Sequence, residues 1–242
     1  MGRGIARPTI LEELTMSKRK MIAVVDVEAT GKMHVYDIGL AITDLYGNIF
    51  ETYSAVVEDV FCGMSSEMKS AYYAEKIPQY VSEIENGQRQ LKKLSTIRAE
   101  VLALLKQYHV KSIYAYNMTY DKNALDKTVS LLSNGFVTSF FENIKYCCIW
   151  RMSTETFLQK KDYAKQAIAN GWVSESGNIK SSAECAYRYI SGDKVFEEEH
   201  TGLADVLIEV QILCKARQSH KKIPTEPNSS CWKKAQKYKH LV

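Results

Sequence analysis

Short apolar runs separated by polar turns dominate the first quarter of the chain. Met21 to Asp26 (MIAVVD) is almost wholly apolar, ends in an acid and leads into VEATG, where Gly31 marks a turn; this predicts a buried strand. Val35 to Thr43 (VYDIGLAIT) predicts a second strand, and Asp44 to Asn48, with Gly47, a hairpin-like turn. Asn48 to Val57 alternates apolar and polar positions and predicts a third strand, so the three form an antiparallel meander. Ser65 to Glu85 is polar and predicts helix in pieces, interrupted near Pro78. Apolar residues at helical spacing over Ser95 to His109 predict a helix with Ser95 as its N-cap. Val110 to Tyr116 predicts a fourth strand, Asn117 to Leu132 a helix stopped at Asn134-Gly135, and Ile144 to Ile149 a fifth strand. Helices are predicted over Thr154 to Asn170, Ser181 to Ile190 and Gly202 to Gln218, with a small hairpin between them at Gly171 to Lys180. Pro224 and Pro227 then break the pattern. A meander followed by helix, strand, helix, strand and more helices is a mixed α/β order.

Composition bounds this picture without redirecting it. The chain has 242 residues and 45% hydrophobic content, enough for one sizeable core. No apolar run approaches the roughly 20 residues a membrane helix needs, and the N-terminus has no secretory-type apolar stretch, so no membrane partner and a cytoplasmic location are expected. The six cysteines include no Cys-x-x-Cys pair, which argues against a structural zinc site, and without a signal peptide a disulfide framework is not expected either. Charge is uneven: from Lys215 to Val242 eight basic residues face one acid, Glu226, whereas the rest of the chain carries 24 basic and 27 acidic residues. A basic tail on a slightly acidic body suits an anionic partner such as nucleic acid, and equally a tail that only aids solubility. The expected organisation is an arm over 1–20, a domain over 21–218 and a basic tail over 219–242.

Three short stretches carry the candidate chemistry. Asp26 and Glu28 are two apart at a strand end, so their side chains share a face and repel each other unless a cation sits between them. Hard cations such as Mg²⁺ prefer this oxygen ligation. Asn117 and Asp121 are four apart after the fourth strand and share a helix face, although a capping Asn and an acid near a helix N-terminus also have ordinary structural uses. His200 and Asp205 lie in EEEHTGLAD at the start of a helix, with Gly202 between them as a turn residue. Each stretch alone is weak.

In chain order they run Asp26-x-Glu28-x-Thr30-Gly31, Asn117-x₃-Asp121 and His200-x₄-Asp205. This set resembles the DEDD superfamily of 3′→5′ exonucleases in its histidine-containing subclass, and the resemblance covers about Met21 to Gln218. The segment from Trp150 to Ile190 looks most like bacteriophage-encoded members. The resemblance implies a ribonuclease-H-like fold, with a mixed five-stranded sheet flanked by helices. It implies catalytic roles for Asp26, Glu28, Asp121, His200 and Asp205, and two Mg²⁺ or Mn²⁺ ions about 3.5–4 Å apart held by Asp26, Glu28, Asp121 and Asp205. Asp26 would bridge the ions and His200 would be the general base. The implied substrate is the 3′ end of single-stranded DNA or RNA, released as nucleoside 5′-monophosphates. Thr30, Gly31, His34, Tyr36 and Asn117 are the expected substrate contacts, with Met33 beside them, although Tyr36 equally suits core packing. Many relatives dimerise, which adds a homodimer to the expected partners. Two other readings stay open: a ribonuclease-H-like endonuclease, and a non-catalytic nucleic-acid-binding module on the same fold.

Overall fold

The computed structural model describes residues 20–219 and 222–241, so the predicted N-terminal arm lies, Lys20 apart, outside the described residues. The strands are β1 (Met21–Ala29), β2 (Val35–Asp44), β3 (Ile49–Val57), β4 (Leu91–Lys92), β5 (Ser112–Ala115) and β6 (Lys145–Cys148). They form one sheet in the order β4-β3-β2-β1-β5-β6. β1, β2 and β3 are the expected antiparallel meander, and β5 and β6 continue the sheet parallel to β1. With helices on its faces this is the expected mixed α/β, ribonuclease-H-like layout. The sheet gains one strand over the predicted five: β4 pairs Leu91 and Lys92 with Val56 and Val57. Two residues carry no readable alternation, so the sequence gives no sign of it.

The described α-helices are α1 (Glu58–Phe61), α2 (Ser65–Met68), α3 (Ile77–Glu85), α4 (Leu94–Gln107), α5 (Met118–Leu132), α6 (Ile149–Thr156), α7 (Lys161–Ala169), α8 (Ala183–Ser191), α9 (Gly202–Arg217) and α10 (Trp232–Ala235), with 3-10 turns at Ala74–Lys76 and Gln236–Leu241. Pro78 starts α3 rather than interrupting a helix, since a first-turn N–H has no intrahelical partner to lose. The predicted Ser95 cap is not used. α4 begins at Leu94, whose N–H donates to Asp59 Oδ2 from α1 at 2.8 Å, so a distant acid replaces the local serine. None of the described helices is long and apolar enough to cross a membrane.

Two cores sandwich the sheet. Along β1, Ala23, Val25 and Val27 enter the core with α4 and α5, while Ile22 and Val24 enter the one with α6, α7 and α9. Every residue of β2 is buried, because both faces of this strand are covered; hence its nearly unbroken apolar run. Residues 222–241 extend the second core: Cys231 and Ala235 are buried, and the Gln236 side chain bonds both the N–H and the C=O of Ile179 at 2.9 Å.

The element that matters most for the cleft is α9. Its first residue lies directly on β2. A Cβ on Gly39 would sit 2.1 Å from the Gly202 carbonyl carbon, and one on Gly202 would sit 2.5 Å from the Gly39 nitrogen. Close approach to the sheet, rather than the turn predicted from the sequence, is what requires glycine at 202. The α9 N-terminus is capped from another element: Gly202 N–H donates to Asp37 Oδ2 at 3.0 Å. The same oxygen accepts from Tyr80 Oη at 2.8 Å and pairs with Arg89 at 2.9 Å. Asp37 is fully buried, and Arg89 supplies the counter-charge that burial requires.

Candidate active site

β1 outruns its parallel neighbour. Its pairing with β5 covers Ala23 and Val24, and the strand then continues to Ala29. Asp26 and Glu28 therefore stand beyond the paired segment, at the carboxyl end of the parallel strands, on one face. β5 leads straight into α5, whose first turn carries Asp121. Asp121 Oδ1 accepts the N–H of Val27 at 3.3 Å, which pins that turn to β1 between the two acids. Asp205 lies in the first turn of α9, and His200 in the loop just before it. These five residues line one cleft of about 480 Å³.

The cleft is an unbalanced acidic pocket. Glu198 and Glu209 line it as well, and no Lys or Arg among the described residues does. Burial, then neighbouring carboxylates beginning with Asp205, pushes the Glu28 carboxyl from an ordinary 4.5 up to about 9. Burial raises Asp121 and Asp205 to about 7 and Glu198 to about 8. Asp26 and Glu209 are also raised well above the ordinary carboxylate range, by burial first and then by the surrounding acids. Buried carboxylates without cationic partners hold their protons unless a cation is present. The ligand atoms of Glu28, His200 and Asp205 lie within 4.8 Å of one another, and so do those of Glu184, Glu198 and His200. A cradle of hard oxygen donors with unmet negative charge fits a divalent cation such as Mg²⁺ or Mn²⁺.

His200 sits on the rim. Its backbone is in the left-handed region at φ 48°, its Nδ1 is 3.9 Å from Glu198, and its ring stacks on Tyr73. Burial, and then the nearby Lys76 ammonium, lower its pKa below the ordinary histidine value, which favours the neutral ring.

Among the expected substrate contacts, Thr30, Gly31 and Asn117 line the cleft, and so does Met33. A Cβ on Gly31 would meet nothing nearer than the Ser70 carbonyl at 3.7 Å, so this turn leaves room beside it. Asn117 occupies the N-cap position of α5 but its side chain makes no capping bond. His34 and Tyr36 are not brought to the cleft wall. His34 is buried with its Nδ1 2.7 Å from Glu67, and Tyr36 packs edge-on against Tyr80 inside the core. Both follow the turn into β2, a strand covered on both faces, so packing takes them.

Several cleft residues lie outside the three motifs. Glu209 falls one helical turn after Asp205, a spacing that marks a shared face; its Oε2 accepts the Tyr116 N–H at 3.1 Å and ties α9 to the end of β5. Glu198 is two residues from His200. Tyr120, between Asn117 and Asp121, is partly exposed at the mouth. Tyr72 and Tyr73 come from a polar stretch far from every motif, and no local pattern points to them.

No protein-family model matches the chain, and no curated protein does either. Solved structures it is similar to include the zinc-bound form of an E. coli ExoI–single-stranded DNA complex, at TM-score 0.47 and 13% identity, covering 84% of this chain and 42% of that one. E. coli exonuclease I in complex with a dT13 oligonucleotide is similar at TM-score 0.48 and 13% identity, covering 83% of this chain and 41% of the other. The chain thus spans about two-fifths of the length of either neighbour.

Proposed function

We propose that the protein is a divalent-metal-dependent 3′→5′ exonuclease of the DEDD type with a histidine base, acting on single-stranded DNA or RNA. One observation carries this reading: Asp26, Glu28, Asp121, His200 and Asp205, from three stretches far apart in the chain, line one cleft with no Lys or Arg among its described lining residues. A binding module for an anionic polymer would not gather buried carboxylates where the polymer must lie. The reading stands on the cleft and not on the structural neighbours.

Asp26, Glu28, Asp121 and Asp205 would hold two Mg²⁺ or Mn²⁺ ions. Bound there, such ions acidify the attacking water and neutralise charge at the leaving 3′ oxygen. The remaining work belongs to the chain. Neutral His200 takes the proton of the attacking water at a ring nitrogen, and its lowered pKa keeps it ready to accept. Val27 N–H holds the Asp121 carboxylate in place, and the open turn at Thr30-Gly31 admits the terminal nucleotide. Tyr72, 83% exposed, and Tyr120, 39% exposed, offer ring faces at the mouth to unpaired bases, a contact that favours single strands.

The test is one panel: 3′-labelled and 5′-labelled single- and double-stranded DNA and RNA with Mg²⁺, Mn²⁺ or EDTA. Stepwise release of nucleoside 5′-monophosphates from the 3′ end, abolished by EDTA, is expected. Cleavage of a circular or 3′-blocked substrate would replace the reading with an endonuclease. Binding with no hydrolysis under any metal would leave a binding module.

A further inference from the structure

The proposed general base is not carried by a regular element. His200 belongs to the loop that precedes α9, and its left-handed backbone is one that a non-glycine residue keeps only where its surroundings impose it. Those surroundings come from the segment between β3 and β4. Tyr73 lies face to face with the imidazole, centroids 4.1 Å apart and planes inclined by 15°. Tyr72 packs edge-on against Tyr73, at 4.8 Å and 84°. Three residues on, Lys76 Nζ donates to the carbonyl of Glu199, the residue before His200. One short strap thus holds both the ring and the backbone of the same loop. Tyr73 offers its ring for this, since its hydroxyl has no hydrogen-bond partner among the described residues.

We propose that Tyr73 is a positioning residue for His200, fixing the imidazole plane over the acidic floor so that its free nitrogen meets the attacking water. The inference rests on the exonuclease reading above. An imidazole on a loop turns about two side-chain bonds, and a stacked ring removes the second of these freedoms without touching the reacting atoms. A catalytic group displaced by about 1 Å typically loses on the order of 100-fold in rate. Tyr73→Ala is therefore expected to lower kcat about 10- to 100-fold while KM stays within about twofold. Tyr73→Phe keeps the ring face and is expected to restore most of the rate. Tyr73→Leu fills the volume without a ring face, so it is expected to behave as Tyr73→Ala even if the alanine variant folds poorly.

A second readout needs neither metal nor substrate. A ring stacked at this distance shields the protons of the imidazole, so the His200 ring-proton resonance, assigned by its disappearance in His200→Ala, is expected upfield in the wild type and in Tyr73→Phe. It is expected to return towards the free-histidine position in Tyr73→Leu. A KM increase with unchanged kcat would make Tyr73 a substrate contact and overturn the proposal. An unshifted resonance in the wild type, or an equally slow Tyr73→Phe, would overturn it too. A shifted resonance in a wild-type protein that hydrolyses nothing would instead remove the functional reading, and the base-positioning role with it, leaving only the ring stacking.

Discussion

The floor and the rim of the cleft are built in different ways. On the floor, Asp26 and Glu28 stand on a central strand, and Asp121 and Asp205 on the first turns of helices that abut the sheet. On the rim, His200 is held in a strained loop by Tyr73, Lys76 and the Asp37 cap of α9, all contributed by distant parts of the chain. Floor residues are placed by regular hydrogen-bonded structure, and rim residues by side-chain contacts. Damage to the floor should therefore remove chemistry and spare the fold, whereas damage to the rim should trade rate, stability and positioning against one another.

The largest effect is expected on the floor. Asp26→Ala or Asp205→Asn should abolish nuclease activity. The metal-free variants should melt no lower than the wild type, because each substitution removes a buried acid that burial and its neighbours disfavour in the ionised form. Full turnover in both variants would rule the floor out as the reaction centre. His200→Ala should be less severe, slowing turnover by roughly 10²–10⁴-fold, the range for a missing general base; single-turnover hydrolysis of a 3′-labelled oligonucleotide reads it.

The next effect is on stability and belongs to the rim. Asp37→Ala leaves Arg89, the Tyr80 hydroxyl and the Gly202 N–H without their shared partner. Breaking a buried pair in this way costs about 3–5 kcal/mol, so denaturant unfolding should show a clear loss even with the acidic floor untouched. An unchanged midpoint would show that α9 does not depend on this cap.

The pH dependence separates the two regions again. His200 must be neutral to accept a proton, so activity should fall as acid pH reaches its lowered pKa; activity that never falls on the acid side while the protein stays folded would contradict its role. The floor works on stability in the metal-free protein. Glu28 rises from 4.5 to about 9, and Asp121 and Asp205 from 3.8 to about 7. Below the unfolded-state values these groups are protonated in both states and their contribution is fully present. As pH rises, the unfolded chain gives up its protons first, so that contribution is lost between about 4 and the folded values near 7 and 9. Melting temperatures of the metal-free protein should accordingly fall over this window, and saturating Mg²⁺ or Mn²⁺ should reverse the fall.

The smallest effect lies away from both. Lys233 and Lys237 are exposed on the basic C-terminal segment, whereas Lys234 is paired with Glu155 at 2.5 Å. Neutralising Lys233 and Lys237 to Gln should make the salt dependence of oligonucleotide binding shallower, by about 0.7 for each phosphate no longer neutralised. An unchanged slope would leave the segment as packing and solubility alone.

The same contrast explains what was legible in the sequence. The five strands longer than two residues, the floor acids and the His200-x₄-Asp205 spacing show in local periodicity and short motifs, because local hydrogen bonding builds them. Glu209 was legible in principle through its i, i+4 spacing from Asp205. The assignments that failed share one cause. Asp59 caps α4 from 35 residues away, displacing Ser95, and Gly202 answers to Gly39 on another strand. His34 looks like a substrate candidate beside a motif, and Tyr36 suits either substrate or core; the strand they enter is covered on both faces, so both are packed. Tyr73 reaches His200 across more than half the chain, and no window of sequence contains both rings.

The close approach of Gly39 and Gly202 also imposes an order in time. The bond that seats α9 joins residues 165 positions apart, Asp37 and Gly202. In chain order the meander and two of the floor acids precede α9, but Asp205 comes only with α9, and the backbones must then meet at a spacing that leaves no room for a methyl group. A nascent chain can hold its sheet and still lack a complete set of acids. A complete set of cleft acids, and with it any capacity to hold a cation there, therefore waits for α9 to dock on β2.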